Sequence, residues 1–219
     1  MADVAIAPIK LVARVPDRPG EYVGDRRISF EEYLELDHER GLAEWIDGEV
    51  HFYVGATAAH QRIVQFLSFL LAGFLESTTG GQVFPGGLVV RAAPLGNARE
   101  PDIVVVTAAN RSRVKPSFVD GPPDLVVEVV SNDSVERDYE TKRTEYAAAG
   151  VPEYWIVDAR SSTVSSLFLS LRGGLYEAIP VDSGIVRSTV LPGFWLKPEW
   201  LSEEHPAPLA RLNDVLAED

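Results

Sequence analysis

Glu128 stands where another valine would fit in Leu125-Val126-Val127-Glu128-Val129-Val130, a run that reads as a strand buried on both faces. A carboxylate taken out of water costs several kcal/mol unless cations or hydrogen-bond donors meet it, so Glu128 is the first candidate for chemistry. A second carboxylate lies upstream. In Pro101-Asp102-Ile103-Val104-Val105-Val106, Asp102 follows a proline at the mouth of another apolar strand. Taken alone it reads as a strand-start turn residue. If it converges with Glu128, the pair makes a hard oxygen site of the kind that Mg²⁺ or Mn²⁺ prefers.

A cation follows on the next element. Val135, Tyr139, Lys142, Tyr146 and Ala149 share one face at helical spacing, which directs Lys142 toward the sheet, with Asp138 one turn earlier. There Lys142 either holds a phosphate or orients a water, or it neutralises Glu128 and Asp138. His60 lies on the apolar face of a long helix, where a histidine is more often a satisfied core or cap residue than a ligand. Glu44, beside Trp45, reads on its own as a solvated charge.

These residues need elements to hold them. Residues 1–25, with Pro8, Pro16, Pro19 and Gly20, read as an extended arm. Ser29-Phe30-Glu31-Glu32 matches a capping box and opens a short helix to about residue 37. Asp47-Gly48 marks the turn of a hairpin over 44–53. Apolar residues at three- and four-residue spacing predict a long helix over 57–76, closed by Gly80-Gly81. Strands are expected over 87–93, 102–107 and 125–131, then a helix over 134–149 that stops at Gly150. Further strands are expected over 154–157, 163–169, 175–179 and 185–188. Residues 202–219 read as an acidic tail ending in a short helix, which leaves 26–201 as one α/β domain of mixed α+β character.

Composition narrows the function classes. Apolar residues make up 46 % and charged residues 24 %, as in ordinary globular proteins. No apolar run approaches the roughly 20 residues that span a bilayer, and no secretory signal is evident, so a cytoplasmic protein is expected. The chain has no cysteine, which excludes disulfides, thiolate metal sites and a cysteine nucleophile. A net charge of −13 opposes nonspecific nucleic-acid binding. Action on DNA would need a metal or a local basic patch, for which Arg91, Arg99, Arg137, Lys142 and Arg143 are the candidates. Tyr154-Trp155 reads as core or as a subunit contact, and exposed strands add an expectation of a homodimer.

Glu44-Trp45-Ile46-Asp47-Gly48-Glu49, His60, Pro101-Asp102, the stretch from Pro123 through Glu128 to Ser131, Asp138, Lys142, Tyr146 and Gly150-Val151-Pro152-Glu153-Tyr154-Trp155-Ile156-Val157-Asp158 together resemble the Uma-type restriction-endonuclease-like family, domain of unknown function 820. The resemblance runs over about 29–201. It implies the PD-(D/E)XK nuclease fold, a restriction-endonuclease-like central mixed β-sheet flanked by helices, and Mg²⁺-dependent phosphodiester hydrolysis. By that resemblance Asp102 and Glu128 are metal ligands, Lys142 is the catalytic lysine and Glu44 is the acidic residue of the first helical region. His60, Asp138 and Ser131 are accessory. The lysine expected two residues after Glu128 is replaced by Val130, so Lys142 must serve from the next helix. A nuclease fold that has lost catalysis and binds or regulates is the alternative.

Overall fold

Along a strand, Val126, Glu128 and Val130 point to one face and Leu125, Val127 and Val129 to the other, so this run must be covered on both sides. The computed structural model does so with helices over a six-stranded sheet. It describes residues 11, 13–14, 21–36, 42–53, 56–94, 96–161 and 163–217. Most of the expected arm over 1–25 and the expected helix end at Asp37 lie outside these residues.

In chain order the elements are β1 (Ala13–Arg14), β2 (Glu21–Gly24), α1 (Phe30–Leu34), β3 (Ala43–Ile46), β4 (Glu49–Tyr53), α2 (Ala58–Ser77), β5 (Gly81–Pro85), β6 (Val89–Arg91), β7 (Ile103–Thr107), β8 (Phe118–Asp120) and β9 (Leu125–Val130). There follow α3 (Lys142–Ala149), β10 (Glu153–Asp158), β11 (Ser165–Arg172), β12 (Leu175–Ala178), β13 (Val186–Arg187), β14 (Trp195–Leu196) and α4 (Pro208–Ala217). The central sheet has the order β12-β11-β10-β9-β7-β5. β9 and β10 are parallel and joined through α3, whereas the other neighbours are antiparallel, so the sheet is mixed as expected.

Local signals explain most elements. Ser29 and Glu32 form both halves of the capping box at α1. Asp47 and Gly48 both take positive φ, 49° and 87°, as a two-residue hairpin turn between β3 and β4 requires. Gly150 ends α3 at φ 81°, the left-handed cap that glycine adopts without steric cost.

The two sheet faces carry separate cores. Ile103, Val105, Leu125, Val127, Val129, Trp155 and Val157 pack against Ile63, Leu67, Leu70, Leu71 and Phe74 of α2. By length and composition α2 is the one helix, among the described residues, apolar enough to cross a bilayer, contrary to the sequence expectation. Its apolar stripe lies in this core. α4 packs along α2, where Gly73 leaves room for Leu212. Val104, Val106, Val126, Val130, Tyr154 and Ile156 form the opposite face with Tyr146 of α3. Tyr154 and Trp155 are fully buried there, one on each face, so the pair is core and not a subunit contact.

Five strands escape the sequence reading: β1 and β2, inside the stretch read as an extended arm, and β5, β8 and β14. The stretch read as a sheet strand over 87–93 shortens to β6, which pairs in parallel with β8 outside the central sheet. A third layer, the antiparallel order β1-β2-β4-β3, sits over a small core of Ile28, Phe30, Tyr33, Ala43, Val50 and Ala98. Trp45 bridges to Ala98, which brings β3 against the stretch leading to Asp102.

Candidate active site

Glu128 shares its face with Val126 and Val130 and therefore lies beneath α3, only 3 % exposed. Two donors meet one of its oxygens: Lys142 Nζ at 2.9 Å and the Tyr146 hydroxyl at 3.1 Å, both binding Oε1. Asp102 stands one residue before β7. Its Oδ2 accepts from the Val129 main-chain N–H at 2.7 Å, which ties the mouth of β7 to β9 next to Glu128. Its other oxygen lies 3.1 Å from His60 Nε2 of α2.

Lys142 is 3 % exposed and at the centre of a buried ion cluster. Besides Glu128 it meets Glu44 Oε1 at 3.1 Å and Asp138 Oδ1 at 3.6 Å. Glu44 is fully buried, which corrects its reading as a solvated charge, and it comes from strand β3 and not from a helical region. The docking of β3 beside Ala98 puts it there. Arg99 completes the cluster, with Nη1 2.8 Å from Glu44 Oε2 and a two-nitrogen grip on Glu145 of α3 at 2.8 and 2.7 Å.

A wide turn sets up this convergence. The Lys142 N–H bonds the carbonyl of Arg137, five residues back, and residues Arg137–Thr141 form a π turn inside the expected helix. The Asp138 carbonyl in that turn accepts from the Tyr154 hydroxyl at 2.9 Å. Nothing in the helical period of the sequence signals the extra residue.

Glu128, Asp102, His60, Asp138, Lys142 and Ser131 all line one cleft of about 830 Å³, together with Glu100 and Arg137. Glu44 lies behind Lys142 and does not line it. Ser131 Oγ bonds Asp133 at 2.7 Å. The expected basic patch is dispersed. Arg99 is internal, the Arg91 guanidinium lies 4.3 Å over the Phe30 ring, and Arg143 reaches toward the Tyr176 carbonyl at 3.4 Å. Arg99 and Tyr146 are the partners that sequence reasoning gave no individual role. Tyr146 was legible from its spacing to Lys142, whereas nothing marked Arg99 as internal.

Burial works against every charge here, and the outcomes differ. Burial opposes ionisation of Glu44, but Lys142 and Arg99 outweigh it and hold Glu44 down at about 2. Burial pushes Glu128 up to about 8, with Asp138, Asp102 and Glu44 acting the same way and Lys142 opposing. Burial also raises Asp138, and lifts Glu100 to about 7. Lys142 is kept an ammonium because Glu128, Glu44 and Asp138 outweigh its burial. The opposed tendencies of Lys142 and Glu128 are compatible, since Glu44 stays ionised and leaves Lys142 an anionic partner when Glu128 holds a proton. His60 is raised: burial favours the neutral ring, but its contact with Asp102 prevails.

The low value at Glu44 sets an acid limit. A carboxylate held below its ordinary 4.5 stabilises the fold above that pH and loses the contribution as pH falls toward about 2. At 1.36 kcal/mol per unit this amounts to roughly 3 kcal/mol. Urea unfolding at pH 6 and pH 3 is expected to show a steeper acid loss in the wild type than in Glu44→Gln; equal losses would contradict the assignment.

The donor set suits a hard divalent cation. Glu100, Asp102, Glu128 and Asp138 line the cleft beside Arg137 and Lys142, and Asp138 Oδ1 is buried without a hydrogen-bond partner. Among the described residues no three acidic or histidine side chains form a ready-made metal cage. Mg²⁺ does not need one, because it keeps several waters and binds through one or two carboxylates.

The mixed sheet with its flanking helices is a fold shared with a solved protein. A solved structure from Anabaena variabilis ATCC 29413, described as "a putative nuclease belonging to DUF820", has the same fold, with a TM-score of 0.63 at 17 % identity over 80 % of this chain and 97 % of that one. The family model described as "Uma2: Putative restriction endonuclease" matches residues 30–199, and the chain belongs to that family. Restriction-endonuclease-like proteins generally use divalent metals. No curated protein matches the chain.

Proposed function

We propose that this protein is a Mg²⁺- or Mn²⁺-dependent phosphodiesterase of the PD-(D/E)XK type that cuts nucleic acid, DNA foremost. The observation that carries the reading is the meeting of Asp102, Glu128 and Lys142 at one open cleft whose carboxylates outnumber its cations. Asp102 and Glu128, which both line the cleft, would hold the metal. When bound, the metal polarises the scissile phosphate and lowers the pKa of a coordinated water. Lys142, fixed as an ammonium by Glu44 and Glu128, stabilises negative charge growing on the phosphorus oxygens. His60 orients the Asp102 carboxylate from α2, and Tyr146 orients that of Glu128 from α3.

One such cleft cuts one strand, so we take the working unit on duplex DNA to be a cytoplasmic homodimer. The test of the main reading is cleavage of varied DNA and RNA by the purified chain with and without Mg²⁺, beside Asp102→Asn. Metal-dependent cleavage by the wild type alone is the expected result, and equal nicking by both proteins would end the idea.

One observation favours a second reading. Lys142 is already satisfied by Glu44, Glu128 and Asp138, and Val130 stands where a nearer lysine would be, as in a nuclease fold kept for binding or regulation. Calorimetric titration with Mn²⁺ separates the two. Low-micromolar binding that Asp102→Asn abolishes belongs to the enzyme, and no uptake belongs to the module.

A further inference from the structure

Two side chains of permanent positive charge line the cleft, Lys142 and Arg137. Lys142 is committed to three carboxylates. Arg137 differs. Among the described residues its guanidinium makes no hydrogen bond or ion pair, and it rests against the ring of Tyr53, 4.1 Å away. Its Nε is buried and without a partner. A guanidinium carries five N–H donors in a rigid fork, and a buried donor left unmet is costly, so a site that keeps one has a use for it.

Arg137 is the first residue of the π turn, and its carbonyl takes the wide bond from the Lys142 N–H. That turn brings Arg137 to the cleft wall beside Asp138 without pairing the two. Tyr53, from β4 in the N-terminal layer, places its ring against the guanidinium and holds it at the cleft wall. A flat, supported fork with unmet donors matches a tetrahedral oxyanion better than a single charge does.

We infer that Arg137 is an anion-binding residue of this cleft and takes a phosphate group of the substrate strand. The identity of the substrate rests on the phosphodiesterase reading; the binding of phosphate by Arg137 does not. Glu100, Asp102, Glu128, Asp133 and Asp138 line the same cleft and repel an anion, so occupancy at Arg137 rises when a divalent cation is present.

The test uses the full chain with inorganic pyrophosphate as probe, followed by NMR at the Arg137 Nε–Hε resonance, with and without Mg²⁺. The resonance is assigned by its absence in Arg137→Gln. Pyrophosphate is expected to shift it, more tightly with Mg²⁺, and Arg137→Gln is expected to weaken pyrophosphate binding at least tenfold. Arg137→Lys keeps the charge but not the fork and recovers only part of that loss. For a duplex oligonucleotide, Arg137→Gln lowers the slope of log affinity against log salt by about 1. Circular dichroism confirms that both variants fold. An Arg137 resonance unmoved at saturating pyrophosphate overturns the inference, as does unchanged affinity in folded Arg137→Gln. If pyrophosphate binds through Arg137 while no nucleic acid is bound or cut, the anion site stands and the nuclease reading falls.

Discussion

Lys142→Met is expected to lower the melting temperature by about 10 °C. Methionine replaces most of the lysine stem but not the ammonium, and Glu44, Glu128 and Asp138 lose the cation they share. Removing one partner of a buried ion cluster costs about 3–5 kcal/mol, because the charges left behind cannot regain water. In a domain of this size each kcal/mol shifts melting by roughly 2–4 °C. Proton uptake softens the loss: Glu128, already pushed up to about 8, holds a proton more readily once Lys142 is gone. The deficit is therefore smaller at pH 6 than at pH 8.5. Calorimetry at those two values checks both the size and the trend, and a deficit below about 1 kcal/mol at pH 8.5 would mean that Lys142 does not hold the cluster together.

Glu128→Gln is expected to act in the opposite sense on stability. Glutamine keeps an oxygen for Lys142 and Tyr146 and removes a charge that burial disfavours, while Lys142 retains Glu44. A carboxyl whose value is raised in the fold weakens the fold as pH climbs from its ordinary 4.5 through about 8. The variant should therefore match the wild type near pH 5 and exceed it by about 1–2 kcal/mol near pH 8.5, the usual scale when a strained functional group is relieved. Mn²⁺ binding should fall at least 100-fold. Urea unfolding at both pH values, paired with metal titration, makes the comparison. A loss of more than about 2 kcal/mol at pH 8.5 would instead make Glu128 a structural partner of Lys142.

Much of this arrangement is legible in the chain. Glu128 stands out because a strand of valines leaves it no polar neighbour, and Asp102 stands out because Pro101 sets it at a strand mouth. Asp47-Gly48 and Gly150 signal turns that only certain backbones allow. The remainder depends on contacts far apart in sequence. Nothing in Glu44-Trp45 tells that β3 will dock against Ala98, so burial of Glu44 and its pairing with Arg99 stay hidden. β8 and β14 are too short to show a period, β5 hides its own behind Gly81, Gln82 and Pro85, and all three exist because their neighbours offer hydrogen bonds. The helix after Glu128 reads as regular from its apolar stripe, and only tertiary packing shows where it widens.

That widening makes residue count, more than residue identity, the quantity that matters between β9 and Lys142. The π turn holds one residue beyond the number an α-helix would accommodate, and its Asp138 carbonyl is tied to Tyr154 on the sheet. Losing one residue from Arg137–Thr141 would close the turn into ordinary helix and rotate the segment before it by about 100° relative to α3. Either Arg137 and Asp138 would then leave the cleft, or Lys142 and Tyr146 would lose their hold on Glu128, however well the sequence around them were kept.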